Sequence, residues 1–268
     1  MTMQTGQKPM PRLVGTIHLP PLPGSARGGA GGMQAVLERA RRDAAAYAEG
    51  GFDAVMVENF GDVPFARDHV GPHVVAAMTL AVAAVREACG LPVGVNVLRN
   101  DVLAAVSIAA VAGAEFVRAN VYVGVMVTDQ GVIEGRAEEV QALIARLGPD
   151  IQVWADIDVK HAAALAPRPV GDLAEDAVER GLAAAVIVTG RATGQPASLA
   201  DLEAVRAAVP VAPIYVGSGA TAETLPALLR IATGAIIGTA AKIDALVTNP
   251  VDPARLTALV RAANSSRR

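Results

Sequence analysis

The sequence predicts a single (β/α)8 barrel. Short runs rich in β-branched residues alternate with longer alanine-rich runs eight times along the 268 residues. Several short runs, 185–188 and 235–237 among them, are apolar throughout, as parallel strands buried on both faces are. The composition, 52% hydrophobic and 18% charged, can fill one large core, and no linker, low-complexity tract or charge block divides the chain. A doubly wound open sheet shares this alternation. The count of eight complete units favours the closed barrel.

Taken in order, the expected strands are 13–19, 54–59, 92–97, 116–121, 152–157, 184–190, 213–219 and 234–239. Each is of strand length, and most are rich in Val and Ile. The expected helices are 33–49, 73–89, 101–112, 134–147, 170–180, 199–208, 222–231 and 253–263. Gly50, Gly90, Gly113, Gly148 and Gly181 follow the last turns of five of them, where a left-handed glycine ends a helix at little strain. Residues 1–12 read as a flexible extension, 13–264 as the barrel and 265–268 as a frayed end.

The same composition excludes several classes. A net charge of −3 and a pI near 5.8 give no electrostatic footprint for nucleic acid. One cysteine, Cys89, makes no intrachain disulfide and argues for a reducing compartment. The longest apolar runs, 74–85 and 102–114, are interrupted by Thr79 and Ser107 and are too short to span a bilayer. Residues 1–11 are polar, unlike a secretory leader. A cytoplasmic protein without membrane insertion is expected.

Barrels carry their chemistry at the C-terminal strand ends, so alternation along each strand selects the candidates. Val93, Val95 and Val97 belong against the helices, which turns Gly94 and Asn96 inward. Equivalent alternation turns Thr16, His18, Arg118, Asn120, Asp156 and Asp158 inward. Glu58 and Thr189 stand at the same height, with their faces less determined. His18, Glu58, Asn96, Asn120, Asp156 and Thr189 thus form a polar ring at one mouth. Unpaired polar groups in an interior cost about 1–3 kcal/mol each, so folding alone would not gather so many.

Of 23 basic residues only Lys8, Lys160 and Lys242 are lysine, and the latter two follow the fifth and eighth strands. The seventh and eighth strands end in Gly217-Ser218-Gly219 and Gly238-Thr239. Glycine-exposed amides there, with Lys242 adding charge, predict a phosphate cradle. Glu58 and Asp156, beside Lys160, are the candidate acid and base, and His18, Asn96, Asn120, Asp158 and Thr189 the substrate-binding groups. No cofactor is expected; Asp156, Asp158 and His161, with Glu58, are a candidate divalent-metal set whose geometry nothing in the sequence fixes. His69 and His73 have zinc-helix spacing, but Gly71-Pro72 between them reads as a loop. Residues 28–32, nearly all glycine, read as a lid.

The segments at 15–24 (GTIHLPPLPG), 58–65 (ENFGDVPF), 94–101 (GVNVLRND), 118–120 (RAN), 129–135 (DQGVIEG) and 155–161 (ADIDVKH) resemble the BtpA family, which includes the SgcQ-type proteins; so do the glycine segments at 217–219 and 238–239. The similarity runs from about residue 13 to 264. It implies a phosphate-binding type of (β/α)8 barrel. It also implies two roles: photosystem I biogenesis in cyanobacterial members, and a metabolic activity where members sit among sugar-transport and sugar-kinase genes. Together these lead to an enzyme acting on a small phosphosugar or nucleoside-derived phosphate by isomerase, epimerase or aldolase-type chemistry. The alternatives are a non-enzymatic assembly factor for a membrane complex and a phosphometabolite-sensing subunit. A homo-oligomer is expected from the alanine-rich helices.

Overall fold

The structure, a computed structural model, describes residues 10–28, 31–147, 150–157, 162–190 and 197–266. Eight parallel strands close into a barrel: β1 (Leu13–His18), β2 (Ala54–Glu58), β3 (Val93–Asn96), β4 (Phe116–Ala119), β7 (Gln152–Asp156), β9 (Ala185–Val188), β10 (Ile214–Gly217) and β11 (Gly234–Ile237). Two further strands follow β4, β5 (Val125–Thr128) and β6 (Gly131–Glu134), and β8 (Ala162–Ala164) follows β7. The barrel fold read from the sequence is the observed one.

Around the barrel lie α1 (Gly32–Glu49), α2 (Pro72–Cys89), α3 (Val102–Ala112), α4 (Ala137–Leu147), α5 (Val170–Glu175), α6 (Leu199–Ala208), α7 (Leu225–Leu228) and α8 (Pro253–Ser265). Local chemistry sets their ends. The Asp101 side chain accepts from Ala104 N at 3.0 Å to start α3, and left-handed Gly113 closes it. Asp252 caps α8 ahead of Pro253, whose missing N–H is no loss in a first turn. Helix α2 is long and apolar enough to cross a membrane by length and composition, but Val74, Met78, Val82 and Val85 are buried in the barrel's outer core.

Alternation divides the core as expected. Val93, Val95, Val97, Val117, Ala119, Val153 and Ala155 face the helices. Inside, Phe116, Trp154 and Tyr215 stack with ring centroids 4.0 and 4.2 Å apart, above Val14, Ala54 and Met56. Gly94 makes this possible, because a Cβ there would lie 2.1 Å from the Phe116 ring. The Trp154 indole donates to Gln152 at 3.1 Å and the Tyr215 hydroxyl to Pro11 O at 2.7 Å, so the polar tips point to the N-terminal end. Packed at that end, the barrel opens at the other.

Three expectations need correction. The helix expected at 134–147 begins at Ala137, because Gly131–Glu134 is a strand of a hairpin around Asp129-Gln130, extended by β8 into a three-stranded antiparallel sheet. The helix expected at 222–231 contracts to Leu225–Leu228: Pro226 would fall in the interior of a helix begun at 222 but is tolerated in the first turn of one begun at 225. At two helix ends the left-handed residue comes one position late: Gly50 and Gly181 are right-handed, and Gly51 (φ 82°) and Leu182 (φ 58°) make the reversal. Gly148 lies outside the described residues.

Candidate active site

The inward residues at the C-terminal strand ends surround a cavity of about 500 Å3. Strand register brings them to one level: His18 pairs with Glu58, and Glu58 with Asn96. Glu58 and Thr189, whose faces the sequence left open, both point in. Thr16, Arg118, Asn120, Asp156 and Thr189 line the same space.

Asp156 is the most heavily engaged group. Its two oxygens accept from Arg118 Nε and Nη2, each at 3.0 Å, in a fork-to-carboxylate pair. Asn120 Nδ2 adds a bond at 2.7 Å and Thr189 Oγ1 a longer one at 3.4 Å. A carboxylate so occupied fixes the orientation of Arg118 and Asn120.

Glu58 differs. Its one side-chain donor among the described residues is Asn96 Nδ2, 3.1 Å from Oε2. Burial pushes its carboxyl above the usual range; Arg118 opposes this and Asp156 reinforces it. His18 Nε2 stands 3.8 Å from Glu58 Oε1. That contact is not an ion pair at neutral pH, because burial first, then the positive charges of Lys242, Arg118 and Arg39, push the imidazole down to about 3. His18 therefore meets a ligand as a neutral ring. The His18 and Phe60 rings meet in a T-shaped contact, centroids 4.8 Å apart and planes at 69°.

Across the cavity lie Ser218, Gly219, Gly238 and Thr239. Ser218 (φ 83°) and Gly219 (φ 72°) are both left-handed, a turn that glycine makes freely and serine makes under strain. Ser218 Oγ, His18 Nδ1, Asn96 Oδ1 and Asn120 Oδ1 are buried without a hydrogen-bond partner among the described residues. Gathering four such atoms at one mouth is costly for folding and suited to a polar ligand. Gly217 ends the seventh barrel strand: a Cβ there would meet the Ile187 side chain at 2.4 Å, so glycine leaves room for Ile187 inside the barrel.

Lys242 is not at the mouth. It is fully buried behind the barrel wall, its Nζ 2.9 Å from Asp43 Oδ2 and 5.8 Å from the centre of the Tyr47 ring. Asp43 on α1 is itself fully buried and holds this cation for its own neutralisation, which removes Lys242 from the phosphate cradle. Asp158, Lys160 and His161 lie outside the described residues, as does the middle of the glycine-rich 28–32 segment. Among the described residues no three His, Cys, Asp or Glu side chains are grouped to hold a metal ion. His69 stands 3.8 Å from Asp101 and is far more exposed than the site; His73 is the first residue after Pro72 on α2.

A model of the BtpA family matches residues 9–265. This chain belongs to the BtpA family. The photosystem I biogenesis protein BtpA of Synechocystis sp. is 44% identical over 250 residues, covering 93% of this chain and 87% of that one. An uncharacterized protein of Thermococcus kodakarensis is 47% identical over 258 residues, covering 95% and 96%. Among solved structures, N-(5'-phosphoribosyl)anthranilate isomerase from Pyrococcus furiosus superposes with a TM-score of 0.57 at 13% identity, over 95% of this chain and 99% of that one. Orotidine 5'-phosphate decarboxylase from Pyrococcus horikoshii does so with 0.55 at 14%, over 94% and 99%. Likeness at that identity shows the shared barrel alone.

In this BtpA-family barrel the family motifs hold the loops as well as the site. Asn59 Oδ1 accepts from Leu98 N at 2.7 Å, its amide donates to Asp62 at 3.1 Å, and Asp62 accepts from Leu22 N at 2.8 Å. Asn100 brackets Val121, accepting from its N–H at 2.8 Å and donating to its O at 2.9 Å. Sequence reasoning passed over Arg118 and Arg99 as cavity residues. Alternation had already turned Arg118 inward, and an arginine on a barrel's inner face was the available signal.

Proposed function

We propose that this BtpA-family barrel is an enzyme acting on a small phosphorylated metabolite by acid–base chemistry of the isomerase, epimerase or aldolase type. One observation carries the proposal: a buried carboxyl with a raised pKa, Glu58, shares a cavity with an Arg118 guanidinium that Asp156 locks in place. A proton carrier needs a pKa near the working pH, and burial moves Glu58 that way. Arg118 and Asn120 bind and stabilise oxygen that gains negative charge, and Asp156 positions both. Neutral His18 holds a hydroxyl, while Asn96, buried and outside the cavity lining, holds Glu58 in place. The phosphate sits on the Ser218–Gly219 and Gly238–Thr239 turns, without Lys242, and its binding orients the reacting end. Lys160 and Asp158 follow Asp156 in sequence and stay candidates on that ground, Lys160 beside the acid and base and Asp158 as a substrate-binding group.

The names of the two barrels above speak of phosphate esters, in agreement with this reading. The name of the Synechocystis relative favours an assembly role instead. A scaffold, however, has no use for a buried carboxylic acid beside four unpartnered polar atoms. The test is a panel of triose and pentose phosphates screened for binding and then for turnover. Glu58→Gln should keep binding and lower kcat by about 100-fold or more, the usual worth of a general acid or base. Asp156→Asn should raise KM and lower kcat together. Undiminished turnover by Glu58→Gln would refute the mechanism, and binding without turnover would make the protein a sensor.

A further inference from the structure

The cavity is lined by two unlike sets of side chains: polar ones, His18, Glu58, Arg118, Asn120 and Asp156, and apolar ones, Phe60, Phe65, Leu98, Leu246 and Val247, with Phe60 beside His18. Aromatic residues are only 3% of the chain, with four phenylalanines. Phe52 and Phe116 are buried in the core, whereas Phe60 and Phe65 are half-buried and open onto the cavity. Leu246 is 55% exposed where it lines the mouth. Its loop does not swing freely. Arg39 donates to Thr248 O at 3.1 Å and to Asn249 O, and Asn249 donates back to Ile243 O at 3.1 Å.

A bare sugar phosphate suits such a site poorly. It carries hydroxyls on most of its carbons, and those turned to Phe60 or Phe65 would lose water without gaining a partner. The cavity, about 500 Å3, also exceeds what a triose phosphate fills. A flat ring laid on Phe60 and Phe65 loses nothing there and gains stacking that does not depend on the ring's hydrogen-bonding pattern.

Resting on the phosphate-ester reading above, we infer that the ligand carries a planar aromatic ring as well as its phosphate, in the manner of a nucleoside monophosphate, with Phe60, Phe65 and Leu246 forming the ring's slot.

The experiment is calorimetric titration of the full-length protein with AMP, GMP, CMP and UMP, with the four matching nucleosides, and with ribose 5-phosphate. At least one nucleotide should bind tenfold or more tighter than ribose 5-phosphate, the contribution expected of one stacked base. Phe60→Leu and Phe65→Leu should weaken that nucleotide by a larger factor than they weaken ribose 5-phosphate; two positions guard against one variant misfolding. If ribose 5-phosphate binds as tightly as every nucleotide, the ring is wrong and the phosphate reading stands. If a nucleoside binds as tightly as its nucleotide, the ring stands and the phosphate reading fails. Nucleotide binding untouched by both variants, or absent at millimolar concentration, overturns the inference.

Discussion

Glu58 is where folding and the proposed function oppose each other. Its folded-state pKa is raised, so at low pH it is protonated in both the folded and the unfolded chain and favours neither. As pH climbs past the ordinary carboxyl range the unfolded chain ionises freely and the folded one resists, and stability is lost until the raised pKa is passed. Glu58→Gln removes this penalty and still accepts the Asn96 bond. Denaturant midpoints should therefore coincide at pH 4 and favour the variant by about 0.5–2 kcal/mol at pH 8, the common gain when a functional constraint is relieved. Equal midpoints at both values would mean that Glu58 is solvated. His18 works with the opposite sign. Its depressed pKa means that acidification below 6.5 draws protons to the unfolded chain and weakens the fold.

At the scale of elements, α1 reaches over to brace the loop after β11. Asp43 Oδ2 accepts from Lys242 Nζ at 2.9 Å and Arg39 Nε at 3.0 Å, and Oδ1 from Val251 N at 3.2 Å. The loop's turn through Asp244 (φ 56°) and Ala245 (φ 52°) is strained, so it needs bracing. Asp43→Ala strands a buried ammonium and should cost about 3–5 kcal/mol in chemical denaturation. Lys242→Met should cost less, since Arg39 still neutralises Asp43. The reverse order would show Lys242 to be the keystone.

Sequence legibility varied by element. Strand faces were readable because alternation has one period and helices demand an apolar outer surface; Asn96, Arg118 and Asp156 all turned the expected way. The β5–β6 hairpin was missed because it falls outside the strand–helix alternation that was being counted, and of Val125–Thr128 only Met126 is buried. Lys242 was misplaced because counting residues from a strand end says nothing of direction, and only the fold reveals a buried aspartate 199 positions earlier in the chain. Partnering among His18, Glu58 and Asn96 follows from register, which sequence does not supply.

For the molecule as a whole, the aromatic stack joins β4, β7 and β10 across the interior. Trp154, 1% exposed, has no room to be replaced. Trp154→Ala should lower stability by about 3–5 kcal/mol in one cooperative transition. A loss under about 1 kcal/mol would mean that the neighbouring rings collapse into the gap. The plug these rings form also governs traffic. With the far side stoppered, anything held in the cavity must depart by the door through which it came, past Leu246. A molecule still lodged at that doorway would shut out the next.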